Sequence, residues 1–233
     1  MKKTAYIGLI LGMIFLYTNT FGQTESVGSE SSKEVKKTAK TYFDMMINLQ
    51  STNLNYGNSN TSFDDYRESV KGVQAGVSFQ AGITPQFTLV SELYFVMKGG
   101  RLLANNPLTN LATTYRFYSF ELPVLARVHL GNLYINAGPA IAYNFKGTKK
   151  TDDLTTDLSF ENSDAGFKRL EAGVQAGIGY AFKIKDKRLA VDVKYNYGLT
   201  NISYDKEMYN RGLIISVLYS RAWKTNPLGK RDN

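Results

Sequence analysis

Charged side chains occupy alternate positions within several apolar stretches of this 233-residue chain. The set holds five carboxylates and four cations, namely Asp44, Glu92, Glu121, Glu171, Asp192, Lys98, Arg127, Arg169 and Lys194. The near balance matters because a charge removed from water is tolerated only when an opposite charge pairs with it. If these side chains share one interior, the pattern predicts a structural salt-bridge network, with an ion pathway or gate as the alternative.

Catalytic chemistry finds little support in the residue pattern. The single histidine, His129, lies beside a short turn, and no motif places a serine with it. We find no paired carboxylates suited to aspartate-based proteolysis, and no zinc or phosphate-loop motif. Loop acids such as Asp64, Asp152 and Asp157 lack the spacing of a calcium loop. The protein is therefore predicted not to be an enzyme and to bind no cofactor or metal.

Two adjacent runs within residues 168–199 show the kind of element that positions the charged residues. From Leu170 to Phe182, and again from Leu189 to Leu199, every second residue is apolar, and those between are mostly polar, charged or glycine. Because strand side chains point alternately to two faces, each run predicts a long strand with one apolar face. The same alternation predicts strands at 43–50, 72–81, 88–98, 118–129, 133–143, 168–182, 189–199 and 212–220.

The connections between these strands alternate in length. Short turns follow the second, fourth and sixth strands, and long polar loops follow the first, third, fifth and seventh, at 51–69, 99–114, 146–167 and 200–209. An even strand number with this alternation is typical of bacterial outer-membrane barrels. The predicted fold is all-β, an eight-stranded antiparallel up-and-down transmembrane β-barrel with its long loops facing outward. Eight strands leave little room for a channel, which favours a plugged lumen over an ion pathway.

The alternation alone does not decide which face points inward. A soluble lipocalin-like barrel would bury the apolar face around a ligand, beside residues such as Val174, Ile178, Val191 and Val193. Glycines on the polar face favour a narrow lumen filled by side chains, and aromatic residues toward both strand ends favour lipid outside. We therefore expect an integral protein of the cell outer membrane, with a soluble exported ligand carrier as the alternative.

The N-terminus predicts export. Lys2 and Lys3 precede an apolar run at residues 5–17 and the small residue Gly22, as in a cleaved signal peptide of residues 1–22. A retained membrane anchor is the alternative. Residues 23–41 are predicted to form a polar periplasmic arm, residues 42–221 the barrel, and residues 222–233 a basic periplasmic tail. The chain contains no cysteine, so no disulfide contributes to its stability.

The formal net charge of +8 raises the question of an anionic partner. Nucleic acid is not predicted, because an exported protein does not meet it and no recognition motif is present. Five cations lie at or above the predicted outer rim: Arg101, Arg116, Lys146, Lys149 and Lys150. There they could hold anionic lipid headgroups or remain solvated loop charge. Outer-membrane lipid is the partner that the sequence predicts.

Five runs, taken in order, carry a resemblance to a known family: SELYFVMKGG, FYSFELPVLARV, NLYINAGPAIAY, DVKYNYGLTNIS and NRGLIISVLY. They resemble the outer-membrane β-barrel proteins of Bacteroidota often called PorT-like, over about residues 42–221. The resemblance implies an eight-stranded barrel of the outer membrane, and the named member is an accessory of type IX secretion and gliding. One departure is that a basic tail follows the last strand, where outer-membrane chains commonly end on an aromatic residue.

The function predicted from the sequence is that of a non-enzymatic integral barrel with a plugged polar lumen. Its role would be structural or interactive, as an accessory to secretion or surface assembly. The outer loops, the arm and the tail would contact other envelope or secretion proteins. A small porin-like transport barrel for ions or hydrophobic solutes is the first alternative.

Overall fold

The computed structural model describes residues 41–184 and 187–222. Within these ranges the chain forms ten strands and one 3₁₀ helix at Asn58–Tyr66. The strands are β1 Tyr42–Asn55, β2 Arg67–Glu68, β3 Val70–Gly82, β4 Phe87–Leu102, β5 Thr113–Leu130, β6 Leu133–Thr151, β7 Leu154–Asp157, β8 Leu170–Ile184, β9 Lys187–Gly198 and β10 Tyr209–Ala222. The predicted signal peptide, nearly all of the arm and nearly all of the tail lie outside the described residues.

Eight long strands close into a barrel. Each pairs antiparallel with the next long strand along the chain, and β1 pairs with β10 from Tyr42 opposite Ala222 to Asn55 opposite Tyr209. Closure gives every wall strand two hydrogen-bonded neighbours and leaves the barrel no free edge. The short strands extend the wall locally, since β2 pairs with β4 and β7 pairs with β6. The predicted eight-stranded antiparallel up-and-down barrel is confirmed.

The two ends of the barrel differ. Short connections at 83–86 and 131–132 join strands at one end, where Ile184 also pairs with Lys187 and where Tyr42 and Ala222 lie; we call it the turn end. Connections at 56–69, 103–112, 152–169 and 199–208 lie at the other, the loop end. Strands run further toward the loop end than predicted, and β1 continues past Gln50 to Asn55. Its outward residues there are Ser51 and Asn53, so the apolar alternation stops while backbone pairing continues.

The polar face of the sheet is the inside of the barrel. On β1, Asp44 and Asn48 are fully buried, whereas the intervening Met45 and Ile47 are 69% and 66% exposed. Large apolar side chains are exposed in this way on all eight long strands. A soluble ligand carrier would need the opposite arrangement, because its apolar face must enclose the ligand. No helix among the described residues is long and apolar enough to cross a membrane.

Candidate functional site

The charged residues of the strands converge in the lumen. Eight of the nine predicted interior charges are at most 5% exposed: Asp44, Glu92, Lys98, Glu121, Arg127, Glu171, Asp192 and Lys194. Each has an outward-pointing apolar neighbour on at least one side of it on its strand, so the strand alternation itself carries it inside. The ninth, Arg169, lies elsewhere, as described below.

At the turn end, an arginine outside the predicted set holds the first carboxylate. Arg188 Nη2 donates to both Asp44 oxygens at 2.7 and 2.8 Å, and its Nη1 donates to Gln80 Oε1 at 2.9 Å. The guanidinium also lies 4.0 Å from the ring centroid of Tyr42. Arg188 falls between the sixth and seventh predicted strands, 168–182 and 189–199, where the sequence predicted a short turn. Its parity with Asp192 on the same strand is the signal that would have placed it inside.

The next layer is built around Arg127 and Tyr134. Arg127 Nη1 donates to the same Gln80 oxygen at 2.9 Å, and its guanidinium lies 4.0 Å from the Tyr134 ring centroid. Tyr134 donates its hydroxyl to Asp192 Oδ2 at 3.2 Å, and Arg127 Nη2 lies 3.7 Å from that oxygen. A Cβ at Gly179 would collide with the Tyr134 ring, so glycine here lets the ring lie over β8 and reach Asp192 on β9. Gln80 thus connects two ion pairs.

A separate ion pair occupies the middle of the lumen. Lys194 Nζ donates to Glu92 Oε2 at 2.6 Å, and neither side chain has any exposed surface. Glu92 lies on β4 and Lys194 on β9, so the contact spans the barrel interior rather than joining adjacent strands. The pair therefore links β4 and β9, which lie on opposite sides of the barrel.

Toward the loop end, one lysine is shared by two carboxylates. Lys98 Nζ lies 3.2 Å from Glu121 Oε2 and 2.9 Å from Glu171 Oε2. Glu121 Oε1 also accepts hydrogen bonds from Tyr94 Oη at 2.8 Å and Gln175 Nε2 at 2.6 Å. A crevice lined by Lys98, both glutamates and small residues leaves room for about one water molecule. The single lysine balances only one of the two carboxylates, and hydrogen bonds from the neutral side chains of Tyr94 and Gln175 stabilise Glu121 in addition.

The prediction for Arg169 is wrong. Its side chain is exposed, and its Nη1 donates to the backbone oxygens of Asn144 at 3.3 Å and Phe145 at 3.4 Å. Its guanidinium lies 4.6 Å from the Phe160 ring centroid. The physical reason is that β8 begins at Leu170, and the alternation of faces does not extend to a residue before the strand. With Arg188 in its place, the described interior still holds five carboxylates and four cations.

An apolar cluster closes the lumen at the loop end. Its buried members come from strand ends and from loops that the sequence analysis treated as polar: Leu54, Tyr56, Phe63, Leu102, Tyr115, Phe117, Phe167, Ile202 and Met208. Tyr56 stacks on Phe63 at 4.7 Å, and Phe117 meets Phe167 edge-on at 5.4 Å. Burial raises the pKa of the Tyr56 phenol, so this group stays neutral. Isolated apolar residues inside polar loops were the only signal for this cluster.

The remaining candidates for chemistry stay dispersed. His129 Nε2 lies 3.1 Å from Thr88 Oγ1, and its ring centroid lies 6.0 Å from that of Tyr134. Over the described ranges, His, Asp and Glu do not form a group of three or more that could hold a metal ion. The geometry of the interior is that of paired charges cross-linking strands, with the apolar cluster above them.

The chain is similar to known proteins both in sequence and in structure. The sequence matches the family described as outer membrane protein beta-barrel domain over residues 41–204. The structure resembles Neisserial surface protein A, with 12% identity, a TM-score of 0.45, and coverage of 76% of this chain and 95% of that one. The attachment invasion locus protein of Yersinia pestis gives 10% identity, a TM-score of 0.43, and coverage of 78% and 99%. OprG from Pseudomonas aeruginosa gives 8% identity, a TM-score of 0.41, and coverage of 81% and 98%.

A search of curated proteins found no match. The family match spans more than half of the chain and includes most of the barrel wall, from β1 through β9. The exposed apolar exterior and polar interior are the arrangement that such barrels need in lipid. The chain belongs to the outer membrane protein beta-barrel domain family and is a protein of the outer membrane.

Proposed function

We propose that this protein is a non-enzymatic barrel whose interior is structural and whose loops and chain ends contact other envelope proteins. The observation that carries the proposal is the filled lumen. Four charged groups fill the interior in order from the turn end to the loop end: Arg188–Asp44, Arg127–Asp192, Lys194–Glu92 and the group around Lys98. The apolar cluster lies beyond them at the loop end. These side chains occupy the space that a transport path would need.

The energetics favour a plug over a pore. Breaking a buried ion pair by removing one partner costs about 3–5 kcal/mol, so a passing ion would meet a barrier at each layer. Eight-stranded barrels are just wide enough for side chains to fill. Conduction through this lumen would require several pairs to separate together, and the apolar cluster would also have to become wet.

The exposed parts of the loops support an interaction role. Apolar side chains at the loop tips are well exposed, with Leu108 at 50%, Leu111 at 49% and Leu154 at 69%. The two loops that carry them touch, since Asp152 N donates to the Ala112 oxygen at 3.3 Å. Exposed apolar side chains on adjoining loops are suited to contact with another protein. The resemblance to PorT-like proteins points to an accessory of type IX secretion or surface assembly as the setting.

Conductance tests the proposal directly. The purified protein, inserted into planar bilayers, is expected to give no channel steps above the lipid background. A 16- to 18-stranded porin under the same conditions provides the positive control, because its lumen holds water. Regular, voltage-stable steps from the purified barrel would contradict the plug and favour the small transport barrel.

A matched pair of photo-crosslinking variants tests the contact surface. A crosslinker at Leu108 on the loop tip is expected to capture a secretion or assembly component. The same group at Ile47 on the lipid-facing wall should capture none. Equal capture at both positions, or none at Leu108, would count against the interaction role.

A further inference from the structure

A cluster of aromatic rings lies on the outer face of β4, β5 and β6. Phe95, Tyr118, Phe120 and Phe145 have ring centroids 5.3 to 6.4 Å apart. Phe120 is 53% exposed, and the other two phenylalanines are about two-fifths exposed. Moving toward the loop end, the next outward residue of β5 after Tyr118 is Arg116. The cluster therefore lies where the apolar wall gives way to charge, the level at which barrels carry an aromatic girdle.

Arg116 is held at this boundary by the backbone. Its Nη1 donates to the Lys71 oxygen at 3.3 Å. To reach β3, the side chain crosses β4 at Gly99, which pairs with Arg116 and has no side chain to block it. A carbonyl oxygen fixes the guanidinium without neutralising its charge. An arginine has five N–H donors, and this contact uses only one.

Arg169 has the same kind of anchorage on the other side of β6. It donates to two backbone oxygens, one of them that of Phe145, a member of the aromatic cluster. Its guanidinium also lies 6.0 Å from the ring centroid of Tyr143, which faces outward. Between the two arginines, Lys146 pairs with Tyr118 in the strand register, and its side chain is 56% exposed.

Two arginines nearer the loop end, Arg101 on β4 and Arg67 on β2, have carboxylate partners instead. Arg101 Nη1 lies 3.1 Å from Glu68, and Arg67 Nη2 lies 3.1 Å from Asp64, so each has a carboxylate partner. Within the described part of the chain, Arg116 and Arg169 form no such ion pair, and Lys146 reaches Asp157 only at 3.7 Å between exposed side chains. Among the described residues, Arg116 and Arg169 therefore keep an unpaired positive charge at the edge of the apolar wall.

We propose that this face binds a phosphorylated lipid of the leaflet at the loop end. Arg116 and Arg169, assisted by Lys71 and Lys146, bind phosphate oxygens, and the acyl chains lie on the aromatic cluster. The planar guanidinium suits phosphate because two parallel N–H groups match two oxygens. The depth of the cations, directly above an apolar wall, matches a lipid headgroup and not a soluble anion. This lipid site does not depend on the plugged lumen or on any protein partner.

A pair of probes that differ only in phosphate tests the site. The full-length protein is exchanged in detergent with bisphosphorylated lipid A or with its dephosphorylated form, and bound lipid is counted by native mass spectrometry. The wild type is expected to retain the phosphorylated form several-fold more. The double variant Arg116→Gln/Arg169→Gln should retain it about tenfold less, because it loses hydrogen bonds from charged donors.

The double variant Arg67→Gln/Arg101→Gln provides the matched control, since it removes an equal charge from two arginines that already have carboxylate partners. It is expected to retain lipid as the wild type does. The lysine double variant Arg116→Lys/Arg169→Lys should keep part of the binding. Gel mobility with and without boiling verifies that each variant is folded. Equal retention of both probes by the wild type would overturn the proposal, as would undiminished retention by the folded glutamine double variant.

Discussion

Lys98 shows how this barrel accommodates unequal numbers of buried charges. Five carboxylates and four cations lie inside, and Lys98 contacts two of the carboxylates, Glu121 and Glu171. Neutral donors complete the coordination, since Gln175 and Tyr94 donate to Glu121. Hydrogen bonds from neutral groups stabilise an ionised carboxylate in a dry interior. The excess carboxylate is therefore accommodated without a fifth buried cation.

The Lys194–Glu92 pair allows a test of how much a buried charge depends on its partner. Glu92→Leu leaves Lys194 buried and unpaired, and we expect the free energy of unfolding to fall by about 3–5 kcal/mol. The double variant Glu92→Leu/Lys194→Met should recover most of this loss, because neither remaining side chain is charged. Urea unfolding of the refolded protein in micelles measures both effects.

The exposed Glu68–Arg101 pair serves as the control for that measurement. Glu68→Leu removes a carboxylate at a similar distance from its partner, but both side chains lie in water. Its cost should be no more than about 1 kcal/mol. If Glu92→Leu proves as mild as Glu68→Leu, the central pair does not hold the two walls together.

Arg169 and Arg188 show how far strand parity predicts the interior. Eight of the nine charges predicted from parity are buried, because an outward apolar neighbour on at least one side shows which way the charged residue points. Parity failed for two arginines that lie next to the predicted strand ends. Arg169 lies just before β8, where parity no longer applies, and Arg188 lies within β9 although the sequence suggested a turn. The ion-pair partners themselves could not be predicted, because they join strands far apart in sequence.

At the scale of the strand, the outer face of β1 shows where the apolar wall ends. Ile47 pairs with Val217 and Ala75, so its surroundings are apolar on both sides. Ser51, four residues later on the same face, pairs with Leu213 and Lys71. A lysine is thus present at the level of Ser51, whereas both neighbours of Ile47 are apolar. The boundary between lipid and water therefore falls between these two positions.

Two lysine substitutions on β1 test this boundary. Ile47→Lys is expected to cost about 2–4 kcal/mol, as measured for lysine near the bilayer midplane of other barrels, whereas Ser51→Lys should cost at most about 1 kcal/mol. Each cost is measured as the change in the free energy of unfolding of the protein refolded into lipid vesicles. The folded fraction is monitored by gel mobility without boiling. Equal costs at the two positions would mean that the apolar face of β1 does not meet lipid.

The strand ends and loops are the elements that the sequence predicted least well. Apolar alternation located all eight wall strands but stopped several residues short on β1 and β6. It also gave no sign that loop residues such as Phe63, Phe167 and Met208 would pack together. These contacts join loops distant in sequence, and a single apolar residue among polar ones has no periodicity to reveal its direction.

At the scale of the whole molecule, the barrel has a filled interior and two ends that present different surfaces. The turn end offers short connections and the strand ends at Tyr42 and Ala222, while the loop end offers exposed apolar side chains and, nearer the wall, the face that carries Arg116 and Arg169. A barrel that carries no solute still places these surfaces at fixed depths in a membrane. Its rigidity follows from the closed strand pairing and from ion pairs that span the lumen.

The absence of cysteine makes it possible to test the inside, the outside and the orientation in one experiment. Three single-cysteine variants are exposed to a charged, membrane-impermeant maleimide in intact cells: Leu108→Cys in a loop, Gln86→Cys in a turn and Ser216→Cys in the lumen. Leu108 is 50% exposed and Ser216 is fully buried. Because long loops of outer-membrane barrels face outward, Leu108→Cys should be labelled in intact cells. Gln86→Cys should be labelled only after the envelope is opened, and Ser216→Cys only after unfolding.

The three positions together distinguish the orientation of the barrel in the membrane from the access of water to its lumen. Labelling of Gln86→Cys but not Leu108→Cys in intact cells would reverse the orientation and leave the plug untouched. Labelling of Ser216→Cys in the folded barrel would mean that water reaches the middle of the lumen. In that case the ion pairs around Lys98 and Lys194 would line a wet path, and transport would replace interaction as the proposed role.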